Sequence, residues 1–258
     1  MIDVPGFDDT HRTDGDVFRD IPGWLVMAYE KNINLSGIIY LQRMTHRRLS
    51  RVLVHDLDMF KELCSCKAFS EVTLVSTWWD SGHPAIDVAR EHDFVSNERI
   101  WGSMVKQGSR VARHSHSRHS AMRIVDSIVE RQRTMVLEIQ DEMVNRRLRL
   151  DETAAGRFMS RELLDQRNKM QEEIQDLQDR LREAVEKKNE DGVEYFALYH
   201  GELQERMDRQ DLDQQIRNLR VSFENLKWER ERESEKIRDE GWQRIAGYVR
   251  RGKRGERN

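Results

Sequence analysis

Hydrophobic positions along this chain obey two different rules, and the change falls near Ser120. Before it, Leu35-Ser36-Gly37-Ile38-Ile39-Tyr40-Leu41 and Glu71-Val72-Thr73-Leu74-Val75-Ser76-Thr77 are near-continuous apolar runs with β-branched residues. Such runs predict strands covered on both faces. A weaker strand-like run is Ser109-Arg110-Val111-Ala112-Arg113, and helical patterns fall near 17–31, 53–64 and 85–107. Strand alternating with helix predicts an α/β class, with a parallel sheet and crossover helices.

After Ser120 proline disappears, charged and amide residues dominate, and apolar residues thin to a stripe. Leu163, Met170, Leu177 and Ala184 recur at heptad spacing, with Ile174 and Leu181 set between them, which is a coiled-coil seam. Arg167 and Lys188 interrupt it where an apolar residue would pack better. Leu212, Ile216, Leu219, Phe223 and Leu226 continue the three-four spacing. Asp191-Gly192 and His200-Gly201 bracket an aromatic patch, Tyr195-Phe196-Tyr199. Glycine costs about 1 kcal/mol inside a helix. A turn at one of these sites gives an antiparallel hairpin, and the alternative is a continuous rod.

Composition narrows the function classes. Of 258 residues, 35% are charged and 37% hydrophobic, poor in core-forming residues for one globule of that length. The formal net charge of -3 does not point to a general nucleic-acid binder. Cys64 and Cys66 are too few and too close for a disulfide framework, so they read as free thiols in a reducing compartment. No signal peptide or membrane-spanning apolar run is present, and the expected location is cytoplasmic.

Candidate chemistry begins at Ile2-Asp3-Val4-Pro5-Gly6-Phe7-Asp8-Asp9-Thr10. This holds the Asp-x-x-Gly pattern by which P-loop GTPases sense a γ-phosphate. In that role Asp3 holds Mg²⁺, usually through water, because a hard cation prefers carboxylate oxygen. Gly6 offers its backbone N–H to the phosphate, where a side chain would obstruct approach. The plainer reading is a Pro5-Gly6 turn followed by a solvated acidic loop. Thr77-Trp78-Trp79-Asp80 ends the second strand and matches the outer positions of the Asn/Thr-Lys-x-Asp pattern that reads guanine. Trp78 stands where that pattern has lysine, and an indole can stack on a base there. The alternative is a strand-end turn carrying core tryptophans.

The order of the Ile2–Thr10 segment, Gly37-Ile38-Ile39-Tyr40-Leu41, Thr77-Trp78-Trp79-Asp80 and then Ser120-Ala121 resembles a fungal group similar to the immunity-associated and septin-like GTPases. Those proteins have a P-loop G domain followed by a coiled-coil tail. The resemblance covers roughly residues 1 to 130 and is strongest in the first 45. It implies a guanine-nucleotide and Mg²⁺ site using Asp3, Gly6, Thr77 and Asp80, with Ser120-Ala121 at the last base-contacting motif. The family's Gly-x-x-x-x-Gly-Lys-Ser/Thr loop occurs nowhere in residues 1–258. Missing with it are the N–H nest, the lysine and the Mg²⁺-binding hydroxyl.

The expected architecture is therefore a partial P-loop NTPase sheet over 1–130 lacking its first strands, a coiled-coil helical region over 131–245, and a basic disordered tail over 246–258. Without the strand that leads into the P-loop, one side of the 35–41 strand becomes an open apolar edge. The expected function is GTP binding without turnover, the chain being an N-terminally truncated form. The alternative is structural or scaffolding action, pairing with itself or partner helices through the stripes. Three further constellations carry blander readings. His114-Ser115-His116-Ser117-Arg118-His119 reads as a solvated turn rather than a metal cluster. Cys64-Ser65-Cys66 reads as buried thiols rather than a redox pair. The Arg250–Arg257 run reads as a solubilising tail rather than an RNA or lipid contact.

Overall fold

In the computed structural model, residues 2–4, 12–44, 51–79, 84–233 and 235–236 are described. Helix α1 (Asp14–Glu30) starts where the Thr13 side chain accepts from the Asp16 N–H, with Asp14 and Asp16 complementing the helix dipole. It buries Val17, Phe18, Val26 and Met27. Strand β1 (Ile38–Arg43) leads through α2 (Arg51–Cys64) and a 3₁₀ turn (Cys66–Glu71) to β2 (Val72–Thr77). Helix α3 (Pro84–Ser96), a π turn (Glu98–Gly102) and α4 (Ser103–Lys106) then lead to β3 (Arg110–Arg113). These helices are the long crossovers that parallel strands require.

The sheet has the order β1-β2-β3 and is parallel throughout. Ile38 pairs with Val72 and Arg43 with Thr77, while Thr73 pairs with Arg110 and Ser76 with Arg113. In β2, Val72 to Ser76 are all buried, so both faces are covered as its apolar run predicts. The expectation of two covered faces fails for β1. Leu41 is 65% exposed, because β1 is an edge strand with its second side unpaired among the described residues. Its entry is also later than the apolar run suggests: Leu35 forms an isolated antiparallel bridge to Met135 instead. Ile2, Asp3 and Val4 are exposed and form no strand.

The second half begins with α5 (Arg118–Val129), a short α6 (Glu138–Gln140) and a π turn (Asp141–Asn145). Helix α7 (Ala154–Glu186) is capped by Thr153, whose side chain accepts from the Gly156 N–H. Buried Glu142 accepts from the Ala154 N–H, and burial raises its pKa despite that bond. Helix α8 (Glu190–Gln210) folds back along α7, which decides for the hairpin over the rod. The turn lies at Lys187–Asn189, ahead of both glycine pairs; Lys188 is left-handed (φ 52°) and the Asn189 side chain accepts from the Gly192 N–H.

Both interruptions of the seam acquire a cause. Lys188 sits in the turn, and Arg167 pairs at 2.8 Å with Asp213 of α9 (Leu212–Asn218). The second stripe is not one coiled-coil segment. It breaks after α9, where the Val221 and Leu219 carbonyls accept from the Leu150 and Asp151 N–H groups, and a helix resumes over 223–233. Its residues Leu212, Leu219, Phe223 and Leu226 are nonetheless buried. One apolar cluster runs from Phe18 of α1 through Leu74 of β2 and Trp101 to Leu163, Leu203 and Phe223. The helical half thus completes the core of the α/β half, offsetting its low apolar content. Among the described residues no helix is long and apolar enough to cross a membrane.

Candidate functional site

Parallel strands end together, so their carboxyl ends gather residues far apart in sequence. The Met44 N–H donates to the Thr77 carbonyl and the His114 N–H to the Ser76 carbonyl, both at 2.9 Å. The ladder therefore closes one residue past β1 and β3, and the chain leaves the sheet at Trp78. Thr77 is committed to the sheet, its Oγ1 donating to the Gln42 carbonyl at 3.2 Å.

The two tryptophans separate in role. Trp79 folds back, its Nε1–H donating to the Ser76 carbonyl at 3.1 Å, with the Arg113 guanidinium 4.3 Å above its ring. Arg113 is held by Glu91 of α3, its Nε donating at 2.8 Å, and Glu91 also accepts from buried Ser76 Oγ at 2.7 Å. Trp78 turns outward. Its backbone is left-handed (φ 60°), rare for a bulky residue, and it is 48% exposed. The Arg43 guanidinium lies 4.1 Å from its ring centroid, and the His116 ring meets it edge-on at 5.1 Å.

Beyond β3, Ser117 caps α5 by accepting from the Ser120 N–H. Ser120 Oγ lies 2.8 Å from His114 Nδ1 and also donates to the Ser117 carbonyl. Ser120 is thus used in building the turn, and the histidines line it. Among the described residues no group of three or more His, Cys, Asp or Glu side chains is placed to hold a metal ion. Asp3 is exposed. Gly6 and Asp80 lie outside the described residues, so the four expected ligands are not seen brought together.

What sequence reasoning missed is the trio Arg43, Arg113 and His116 around the tryptophans, together with Glu91. The strand ends carried a usable signal: residues closing neighbouring parallel strands must be adjacent. Elsewhere, an open hollow between α1 and the 223–233 helix is lined by Arg12, Asp20, Trp228 and Arg230. Asp20 pairs there with both Arg12 and Arg230, and Arg19 with Glu229, so this hollow is a joint between helices. The expectation of buried thiols holds for Cys64 and fails for Cys66, which is exposed just past the end of α2; both are free. The chain matches no family model, no curated protein and no solved structure.

Proposed function

We propose that the carboxyl ends of β1, β2 and β3 form the base-facing part of a guanine-nucleotide site of the G-domain kind, without GTP turnover by residues 1–258. The observation carrying this reading is Trp78, an exposed indole turned out of the sheet in a left-handed conformation between Arg43 and His116. Open α/β sheets take ligands outside the carboxyl ends of their strands. Uncommon backbone conformations persist where surrounding structure holds them, often at ligand sites. Strand order and direction, with Thr77 closing the middle strand, agree with what the resemblance implies for this part of a G domain.

The residues fit a planar base better than a triphosphate. An indole offers a stacking face, and Arg43 offers positive charge beside it. No Gly-x-x-x-x-Gly-Lys-Ser/Thr loop exists in the sequence to cradle phosphates. Asp3 alone does not fit as a Mg²⁺ site, and no step is assigned to the metal. Phosphoryl transfer rests on positioned charge, so its absence predicts no hydrolysis.

Titration of the chain with fluorescent guanosine and GDP derivatives tests this. Expected is weak binding, similar for both ligands, that Trp78→Ala weakens by about 5- to 150-fold, equivalent to the ~1–3 kcal/mol of one base stacked on an aromatic ring. Unchanged affinity in Trp78→Ala would refute the site. Tight, Mg²⁺-dependent GTP binding would refute the account of the phosphates.

The second reading is protein–protein interaction through the helical half, favoured by the exposed outer face of α8. Both apolar stripes are largely buried within the chain, so a partner would meet that outer face. Sedimentation tests self-association: an oligomer dispersed by Leu198→Asp supports it, and a monomer refutes it.

A further inference from the structure

Helix α8 has two apolar stripes. Phe196, Leu203 and Met207 face inward to the core cluster. On the other side Tyr195, Leu198 and Tyr199 are 63%, 65% and 42% exposed, at the three-four spacing that places side chains on one helical face. Tyr195 stacks on Tyr199 with an interplanar angle of 19°, and Tyr199 Oη donates to Glu173 of α7 at 3.1 Å, which orients the pair. The rim is mostly acidic: Asp191, Glu194, Glu202 and Glu205 are exposed, with Arg206 the basic residue beside Tyr199. None of the four makes an ion pair among the described residues, whereas Arg180 and Arg182 of α7 and Lys187 just after it are matched by Asp176, Asp179 and Glu183.

We propose that this face of α8 is the docking surface for the chain's own basic C-terminal segment, residues 237–258. The segment supplies the complement. Trp242, Ile245 and Val249 recur at three-four spacing, and Arg244, Arg250, Arg251, Lys253 and Arg254 surround them. Apolar anchors meet the Tyr195–Leu198 stripe while the arginines meet the unpaired carboxylates. A second copy of α8 fits worse. Antiparallel pairing about Leu198 sets Glu194 against Glu202 of the other copy, like charge on like.

The chain leaves the described residues in the right place. The 223–233 helix lies along α1, with Lys227 paired to Glu30 and Arg230 to Asp20, so it runs toward the start of α1. Lys236 lines the same hollow as Arg12. At that end the Gly15 N–H donates to Gln215 Oε1 of α9, at 3.2 Å, and α9 follows α8 directly. Leu198 is about 18 Å of helix from Gln210 at 1.5 Å per residue. When extended, the stretch from Lys236 to Trp242 spans about 20 Å and the whole of 237–258 about 70 Å.

Hydrogen exchange on the full chain tests this, with a synthetic 237–258 peptide as reference. Expected are amides at 242–250 protected at least about tenfold over the peptide. Leu198→Asp, Glu194→Lys/Glu202→Lys and Trp242→Ala each return them to the peptide rate, while amides along the α7–α8 seam stay protected. Raising salt to about 0.5 M reduces the protection, because exposed ion pairs are screened. Peptide-like exchange in the wild type would overturn the proposal, as would protection that survives Leu198→Asp and Trp242→Ala. Protection that appears only with a dimer in sedimentation would assign the face to a second copy instead. Trp242→Ala leaves every described residue intact, so it decides even if a substitution on α8 disturbs the hairpin.

Discussion

Glu71 offers a sharp test of what holds the sheet in place, because one carboxylate meets two arginines of very different burial. It ends the 3₁₀ turn before β2, 3.2 Å from Arg131 and 3.3 Å from Arg133. The Glu71 and Arg131 side chains are each 8% exposed, while Arg133 is 68% exposed. Removing one partner of a buried pair costs about 3–5 kcal/mol, because the other charge stays buried. Arg131 keeps the Ser70 and Ser127 carbonyls and Thr73 Oγ1 as neutral acceptors, so the lower end applies. Glu71→Gln is expected to cost about 3 kcal/mol, and Arg133→Ala below about 1 kcal/mol. The double variant Glu71→Gln/Arg131→Met should recover part of the loss, since no buried charge is then unpaired. Urea unfolding with a shared m-value measures these three and the single variant Arg131→Met. A Glu71→Gln cost below about 1 kcal/mol, or equal costs for Arg133→Ala and Arg131→Met, would refute burial as the deciding term. The pH dependence has a definite sign. Burial alone would raise the Glu71 carboxyl, but hydrogen bonds from Arg133, Arg131 and Ser70 outweigh it and hold it below its ordinary 4.5. Its contribution is therefore complete above the unfolded value and is lost as pH falls through the depressed folded one.

Three further outcomes are expected. Gly156→Ala places a Cβ 1.7 Å from the Leu150 carbonyl oxygen, a backbone contact, and should destabilise by about 2 kcal/mol or more in thermal unfolding despite alanine's better helix propensity. His55 is raised above 6.5 chiefly by its hydrogen bond to Asp56, opposed by burial and helped by Glu162, Asp56 and Asp14. Its stabilisation is full below the unfolded value and is lost as pH rises through the raised folded one, so His55→Gln should flatten the stability–pH curve there. Burial pushes the Cys64 thiol far up, whereas Cys66 is exposed. A thiol reagent should label Cys66 in the native protein and Cys64 only after unfolding.

Much of the fold was legible because periodicity reports burial. The runs 35–41 and 71–77 and the patterns near 17–31 and 53–64 identify β1, β2, α1 and α2 to within a few residues. The helical pattern over 85–107 is divided among α3, a π turn and α4. Asn97 stops α3, and its side chain accepts from the Arg99 N–H, a local bond that competes with helix continuation. Gly192, in one of the two candidate turn sites, lies instead in the first turn of α8, where a Cβ would crowd the Asn189 cap at 2.6 Å. Of the candidate site, Thr77 and Trp78 were legible as a strand end. The commitment of Thr77 to Gln42 and the division of labour between Trp78 and Trp79 were not, since each depends on a residue of another strand or helix.

By itself the sequence determined the alternation of strand and helix, the switch to a charged helical half, and a short strand-end motif with an exposed-or-buried ambiguity. These are properties of neighbours along the chain, where spacing and residue type suffice. Tertiary structure decided that the helical stripes close on their own chain, that Arg167 belongs opposite Asp213, and that Leu41 of β1 is left exposed. It also decided that Trp78 turns outward between Arg43 and His116 while Trp79 turns in. The physical reason is common to all four. A side chain's fate depends on which distant element fills the space beside it, and periodicity specifies the face of an element without naming its occupant.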